Sequence, residues 1–320
     1  MIKRPLCFFF PAGSFSFNDM MRSFALFISA FLFVSAPSTS KKQQLLLLSK
    51  KYFPENYIVL KEYDEAAINE QANGDSLNEF IADVPTIVHE GYHHYQGFHS
   101  SYFDASVLYR INDTLSFLVK NFTTFPAHEI NGIVPAATRK KVFRYDTYIS
   151  AKDKYLVTQQ FGILGLLEEC IAYYHSFSTG VSLFNYYKDT YGWKDPDAWI
   201  SYLSNMASYR YSILEFELFI SWYMQYARTY YPKTYRDIAS NAGLKKLFIF
   251  LDGENNRLTL LYDQHRAAIL KQFGERMQVR GNFIFNTASH SGKGLYDNEV
   301  KDMTALLQKP EHKVLNELKK

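Results

Sequence analysis

The chain has 320 residues, enough for one large or two ordinary domains and a substantial buried core, so it needs no covalent or metal staple to fold. With 47% hydrophobic and 21% charged residues it is neither disordered nor fibrous, and 35 Lys+Arg against 32 Asp+Glu leave no basic footprint for nucleic acid. Aromatic residues reach 17%, from 27 Phe, 25 Tyr and 3 Trp, an excess that favours wide aromatic-lined surfaces and clefts.

Near the N-terminus, Arg22 precedes the apolar run from Phe24 to Val34, followed by the small residues Ser35-Ala36. That order reads as a secretory signal, and the run is too short for a comfortable membrane span. Met20 or Met21 would be the natural start, making residues 1–19 an upstream mis-start. Residues 1–40 are therefore expected to be removed, with the remainder secreted or periplasmic and without a stable membrane span; a retained anchor is the alternative reading. Removal takes Cys7, leaves Cys170 as the only thiol, and so excludes an intramolecular disulfide.

Along the mature chain, Leu45-Leu46-Leu47-Leu48 in polar flanks reads as a short helix, and Tyr57 to Leu60 as a possible strand after Pro54. Asn73-Gly74-Asp75-Ser76 is a break with a helix start behind it. A helix from Leu77, interrupted near Pro85, resumes from Thr86 to Gly97, with Asp83 as a cap and the proline in the first turn. Alternation in 107–111 and 114–119 around Asn112-Asp113 predicts a tight hairpin, and Val142 to Ile149 reads as another strand. A helix from Lys154 to Phe177 follows. Beyond Gly180 the pattern is aromatic-rich helix, with breaks near Pro196, Pro232 and Gly253 and the longest helix from Tyr209 to Tyr231. The expected fold is thus α+β and predominantly helical: an active-site helix, a β-hairpin-containing insert and a helical C-terminal half within 41–275. Residues 276–320 form a more polar appendage packed on the same domain.

His89-Glu90-Gly91-Tyr92-His93 is an HExxH pattern on a predicted helix. Helical spacing places His89 and His93 one turn apart on one face, where two imidazoles can share a zinc ion while Glu90 points at the adjoining water. Zinc lowers the pKa of such a water toward ~7, and a carboxylate can take its proton and return it to a leaving amine.

A catalytic zinc wants a third protein ligand and one open position. Glu168 and Glu169 sit inside the apolar stretch Phe161 to His175, where carboxylates are rarely tolerated unless paired or metal-bound. Either could serve. Gly165 and Ala172, a turn to either side, would let a neighbouring helix come close. The two halves together resemble the gluzincin zinc metallopeptidases, whose third ligand is a Glu on a later helix within a Glu-Glu-Gly-Leu-Ala-x-Tyr type sequence. Here that is Glu168-Glu169-Cys170-Ile171-Ala172-Tyr173-Tyr174. The resemblance implies a zincin-like core binding one Zn2+ through His89, His93 and Glu169, Glu90 as general base, Tyr174 beside the ligands, and a peptide or protein substrate. Two features depart from the family: Cys170 stands where Gly is usual, and the hairpin lies between the zinc helices rather than a sheet before them.

His94, rotated about 100° from His93, is expected to pack rather than ligate, and Cys170 to fill a small apolar space. Peptide hydrolysis also needs a donor for the developing oxyanion. Tyr209 is the preferred candidate, with Arg210 and Tyr211 as substrate contacts, because a helix starting after Ser208 would present all three at a cleft edge; His265-Arg266 and His175 are weaker alternatives. Two other classes stay open: an aromatic-rich binding protein for glycan or peptide with a vestigial zinc site, and a zinc hydrolase of a non-peptide amide. The intact Glu90 favours an enzyme, since a degraded site has no chemical reason to keep the base.

Overall fold

The computed structural model describes residues 39–151 and 153–320; the expected signal segment, apart from Thr39 and Ser40, and Cys7 lie outside them. Residues 41–320 form one unit, predominantly helical with two small antiparallel sheets.

Helix α1 (Lys41–Tyr52) buries Leu45 and Leu48 and turns Leu47 to solvent. The expected strand at Tyr57 is instead helix α2 (Tyr57–Glu62), entered from a 3-10 turn opened by Pro54. Packing overrides the weak β-propensity of Ile58-Val59: Val59 and Leu60 are fully buried, and Val59 lies against Gly91. Asp64 caps α3 (Glu65–Gln71) by accepting from the Ala66 and Ala67 amides. A capping box of Ser76 and Glu79 starts the short α4 (Leu77–Phe80). Helix α5 (Val84–His99) carries the HExxH segment. Asp83 stands at its N-cap position, but its carboxylate turns back to accept from the Asn73 amide and side chain, tying α5 to the preceding loop.

The hairpin pairs β1 (Ser106–Arg110) with β2 (Ser116–Lys120). Its connection is wider than a two-residue turn: the Asn112 side chain accepts from the Thr114 and Leu115 amides and closes a five-residue loop, 111–115. The strand expected at Val142 to Ile149 does not form. After α6 (Ala136–Arg139), its backbone closes locally, with Tyr148 N–H to Arg144 O and Ile149 N–H to Tyr145 O, giving the one-turn α7 (Tyr145–Tyr148). The single helix expected from Lys154 is two, α8 (Val157–Phe161) and α9 (Ile163–Ser182), broken at Gly162 with φ +55°. A Cβ there would overlap the Phe125 carbonyl and the Tyr223 hydroxyl, so glycine is required both by conformation and by space.

After α10 (Phe184–Tyr191) comes α11 (Pro196–Tyr230), 35 residues and roughly 50 Å long. Pro196 opens this helix instead of breaking it, and Asp195 caps it. Ser208 is therefore mid-helix. Helix α12 (Pro232–Ser240) leads to α13 (Ala242–Phe273), which runs through Gly253 where a break was expected. The last segment forms β3 (Met277–Arg280), β4 (Phe283–Asn286), β5 (Gly292–Gly294), α14 (Asp297–Leu307) and a 3-10 stretch Pro310–Glu317. Strands β4 and β5, α14 and the 3-10 stretch all lean on α11.

The core is centred on α9, buried along almost its whole length and packed mainly against α5 and α11. No helix among the described residues is long and apolar enough to cross a membrane.

Candidate metal centre

The packing of α5 on α9 brings together His89, His93 and Glu169, a group that could hold a metal ion, its ligand atoms all within 4.8 Å of one another. His89 Nε2 and His93 Nε2 are 3.3 Å apart; Glu169 Oε2 lies 3.4 Å from the latter and 3.8 Å from the former. A tetrahedral metal with N and O ligands at about 2.0–2.1 Å needs ligand-to-ligand edges of about 3.3–3.4 Å. Glu169 Oε2 is also buried and accepts no hydrogen bond, which an anionic oxygen does not tolerate without a cation.

The atoms behind these ligands hold them in place. Glu168 Oε1 is 2.8 Å from His93 Nδ1, and its Oε2 accepts from the Tyr102 hydroxyl. A carboxylate oxygen accepts, so Nδ1 is the donor toward Glu168, and Nε2 is the atom that a metal at the centre would take. His89 is tied to the Ala172 backbone and packs edge-on to Tyr173, ring centroids 4.5 Å apart. The Tyr148 hydroxyl is directed at the Glu169 carboxylate.

Burial opposes charge on both imidazoles. On His89 burial prevails, reinforced by His93, and holds the pKa well below its ordinary value. On His93 the neighbouring Glu168 and Glu169 carboxylates outweigh burial and hold it well above. The Glu90 carboxyl is raised, first by partial desolvation and then by Glu169, with His93 opposing.

Glu90 and His89 border a cavity of about 320 Å³, whose wall includes Arg144, Tyr148, Tyr173 and Tyr209. Arg144 is fixed from behind by Glu215, which is fully buried: Nη1 donates to Oε2 at 2.6 Å, and the Arg144 amide to Oε1 at 3.2 Å.

Comparison with protein-family models, with curated proteins and with solved structures finds no match.

The remaining expected residues separate by helical phase. Tyr209 lines the cavity, its hydroxyl 3.1 Å from Thr86 Oγ1. Its neighbours do not join it, because successive positions within α11 turn by about 100°. Arg210 pairs with Asp263 at 3.3 Å and borders a different cavity, while Tyr211 is buried and donates to the Lys141 carbonyl. Tyr174 lies about 140° around α9 from Glu169 and packs edge-on to Phe250; Tyr173, four residues after Glu169, is the tyrosine on the ligand face.

His94 packs between Tyr63 and Phe98, and Cys170 is buried with its thiol pKa pushed up by burial. His175 is bonded to Asn56 in the core, His265 is stacked on Phe184, and Arg266 grips Asp297 with two hydrogen bonds. The i+4 relation of Tyr173 to Glu169 was readable in the sequence. Tyr102, Arg144 and Tyr148 were not, since each reaches the site from a segment outside the two ligand helices.

Proposed function

We propose that the chain is a zinc-dependent metallopeptidase of gluzincin type, exported by its N-terminal segment, with α5 and α9 as the paired helices of a zincin-like core. The observation that carries this reading is the convergence of His89 Nε2, His93 Nε2 and Glu169 Oε2, two of their three separations at tetrahedral-edge length, with Glu90 lining the adjoining cavity. When bound, zinc supplies Lewis acidity that makes water acidic near neutral pH and polarises a carbonyl.

The protein's own groups do the rest. His89, His93 and Glu169 hold the ion, while Glu168, Tyr102 and the Ala172 backbone fix the angles of the ligand side chains. Glu90 takes a proton from the attacking water and delivers it to the leaving nitrogen, and its raised pKa brings those two transfers closer in energy. Tyr148 and Tyr209 supply hydroxyl donors on the cavity wall for the oxyanion.

The aromatic excess supports a binding protein less than composition suggests. Much of it is core, including the fully buried Trp199, Tyr92, Tyr202 and Tyr223.

The test is elemental analysis of the purified protein followed by a peptide-hydrolysis screen, with Glu90→Gln as the control. Near-stoichiometric zinc together with hydrolysis lost in Glu90→Gln is the expected result. No metal uptake, even from excess zinc, would end this reading.

A further inference from the structure

Arg144 is the one cationic side chain among the described residues lining the cavity beside His89. A guanidinium has five N–H donors in a planar fork. Glu215 takes one through Nη1 and the guanidinium lies over the Tyr173 ring, so the group is braced while it lines the cavity with donors to spare. The brace is rigid, because Glu215 is fully buried and also holds the Arg144 amide.

Distance sets what such a group could hold. Arg144 Cζ stands 4.7 Å over the Tyr173 ring, and that ring is 4.5 Å from His89. One extended residue spans about 3.5 Å, and a charge-assisted hydrogen bond adds about 2.8 Å. Laid end to end, the two ring distances are the upper limit of the separation between Arg144 and the His89 ring: one extended residue with its carboxylate contact fits inside that limit, and two extended residues with the contact exceed it. The cavity, about 320 Å³, is at the small end for ligand sites and its wall is mostly hydroxyl and amide groups, without an apolar slot for a long side chain.

We propose, resting on the metallohydrolase reading, that this cavity takes an acylated amino acid with a free α-carboxylate, and that Arg144 receives that carboxylate. The substrate is the C-terminal residue of a short peptide or an N-acyl amino acid, so cleavage is at the last amide bond. Hydrolysis adds water across that C–N bond: the hydroxyl goes to the acyl carbon, the proton to the nitrogen, and a free amino acid is released from Arg144. Arg144 acts here as a specificity residue, through a bidentate fork that a lysine would not reproduce.

The experiment compares N-acetyl dipeptides that end in a free carboxylate with the same compounds as C-terminal amides. Binding is measured by calorimetry on zinc-loaded Glu90→Gln protein, and hydrolysis on the unmodified protein. The acid should bind roughly 10- to 100-fold more tightly than the amide, as expected for losing hydrogen bonds to a charged group. That preference should vanish in Arg144→Met/Glu215→Gln, where the buried carboxylate is neutralised together with its partner so that the fold is kept. The acid-against-amide comparison on Glu90→Gln alone decides the matter if the double variant fails to fold.

Equal binding of acid and amide, or binding of neither, overturns the carboxylate site; with hydrolysis intact, the metallohydrolase reading survives it. A strong preference for the acid with no hydrolysis of either compound supports the Arg144 site and counts against the hydrolase.

Discussion

Glu168 Oε1 lies 2.8 Å from His93 Nδ1, on the ring edge away from the His93 Nε2 that faces His89. The adjacent carboxylate, Glu169, points to the opposite end of the same imidazole. On the proposed reading two neighbouring glutamates divide one job: Glu168 sets the ring's tautomer and angle, and Glu169 completes the ligand set. Glu169→Ala should abolish zinc retention, whereas Glu168→Ala should keep a site weakened by ~10- to 100-fold, the usual cost of losing a group that orients a ligand. Competition with a chromophoric chelator measures both. Metal retained by Glu169→Ala and lost by Glu168→Ala would exchange the two roles.

That His89, His93 and Glu169 come together was legible, because helical spacing alone sets the two histidines one turn apart and a carboxylate in an apolar helix needs a polar partner. The misread elements share a cause. Val142 to Ile149 has the alternation of a strand, but strand formation needs a partner, and Glu215 on α11 claims Arg144 instead. Tyr57 to Leu60 was read from local propensity, while the deciding contact is with Gly91, thirty-odd residues away. The start assigned to the long helix failed because Pro196 serves at its first turn, which leaves Tyr209, Arg210 and Tyr211 mid-helix on separate faces instead of gathered at a helix end. Arg144 and Tyr148 could not be found at all without the fold.

Tyr148 and Tyr209 both offer hydroxyls to the cavity, but only Tyr148 reaches the ligand carboxylate. Tyr148→Phe should lower kcat by ~10²- to 10³-fold with little change in KM, the signature of a donor used in the transition state. Tyr209→Phe, whose hydroxyl is engaged with Thr86, should cost less than about tenfold by the same measure. Steady-state kinetics on the two variants would assign the donor to Tyr209 if the order were reversed.

Gly162 and Gly253 make opposite predictions for the same substitution. Gly162 has φ +55° and no room for a Cβ, so Gly162→Ala should destabilise by roughly 2–4 kcal/mol through strain and overlap combined. Gly253 lies inside α13, is exposed, and would place its Cβ in open space, so Gly253→Ala should stabilise by about 0.4–1 kcal/mol. Urea unfolding separates the two. A Gly162→Ala protein as stable as the parent would mean that α8 and α9 can merge into the continuous helix expected from the sequence.

His175 gives the pH dependence its clearest sign. Its Nδ1 donates to Asn56 Oδ1 at 2.6 Å, its Nε2 is buried without a partner, and burial pushes its pKa from 6.5 down to about 3. Above pH 6.5 the ring is neutral in both folded and unfolded chains, and its contribution is fully present. Between 6.5 and about 3 the unfolded chain binds a proton that the folded chain refuses, so stability falls as the pH falls. The slope approaches ~1.4 kcal/mol per pH unit for one such group. His265, held at about 4 by burial, acts in the same direction but is unchanged in a His175 variant. Unfolding free energies of the parent and His175→Gln, measured from pH 7 down to pH 4.5, should therefore converge by about 2–3 kcal/mol. Curves that stay parallel would mean that the buried ring accepts its proton as readily as the unfolded one.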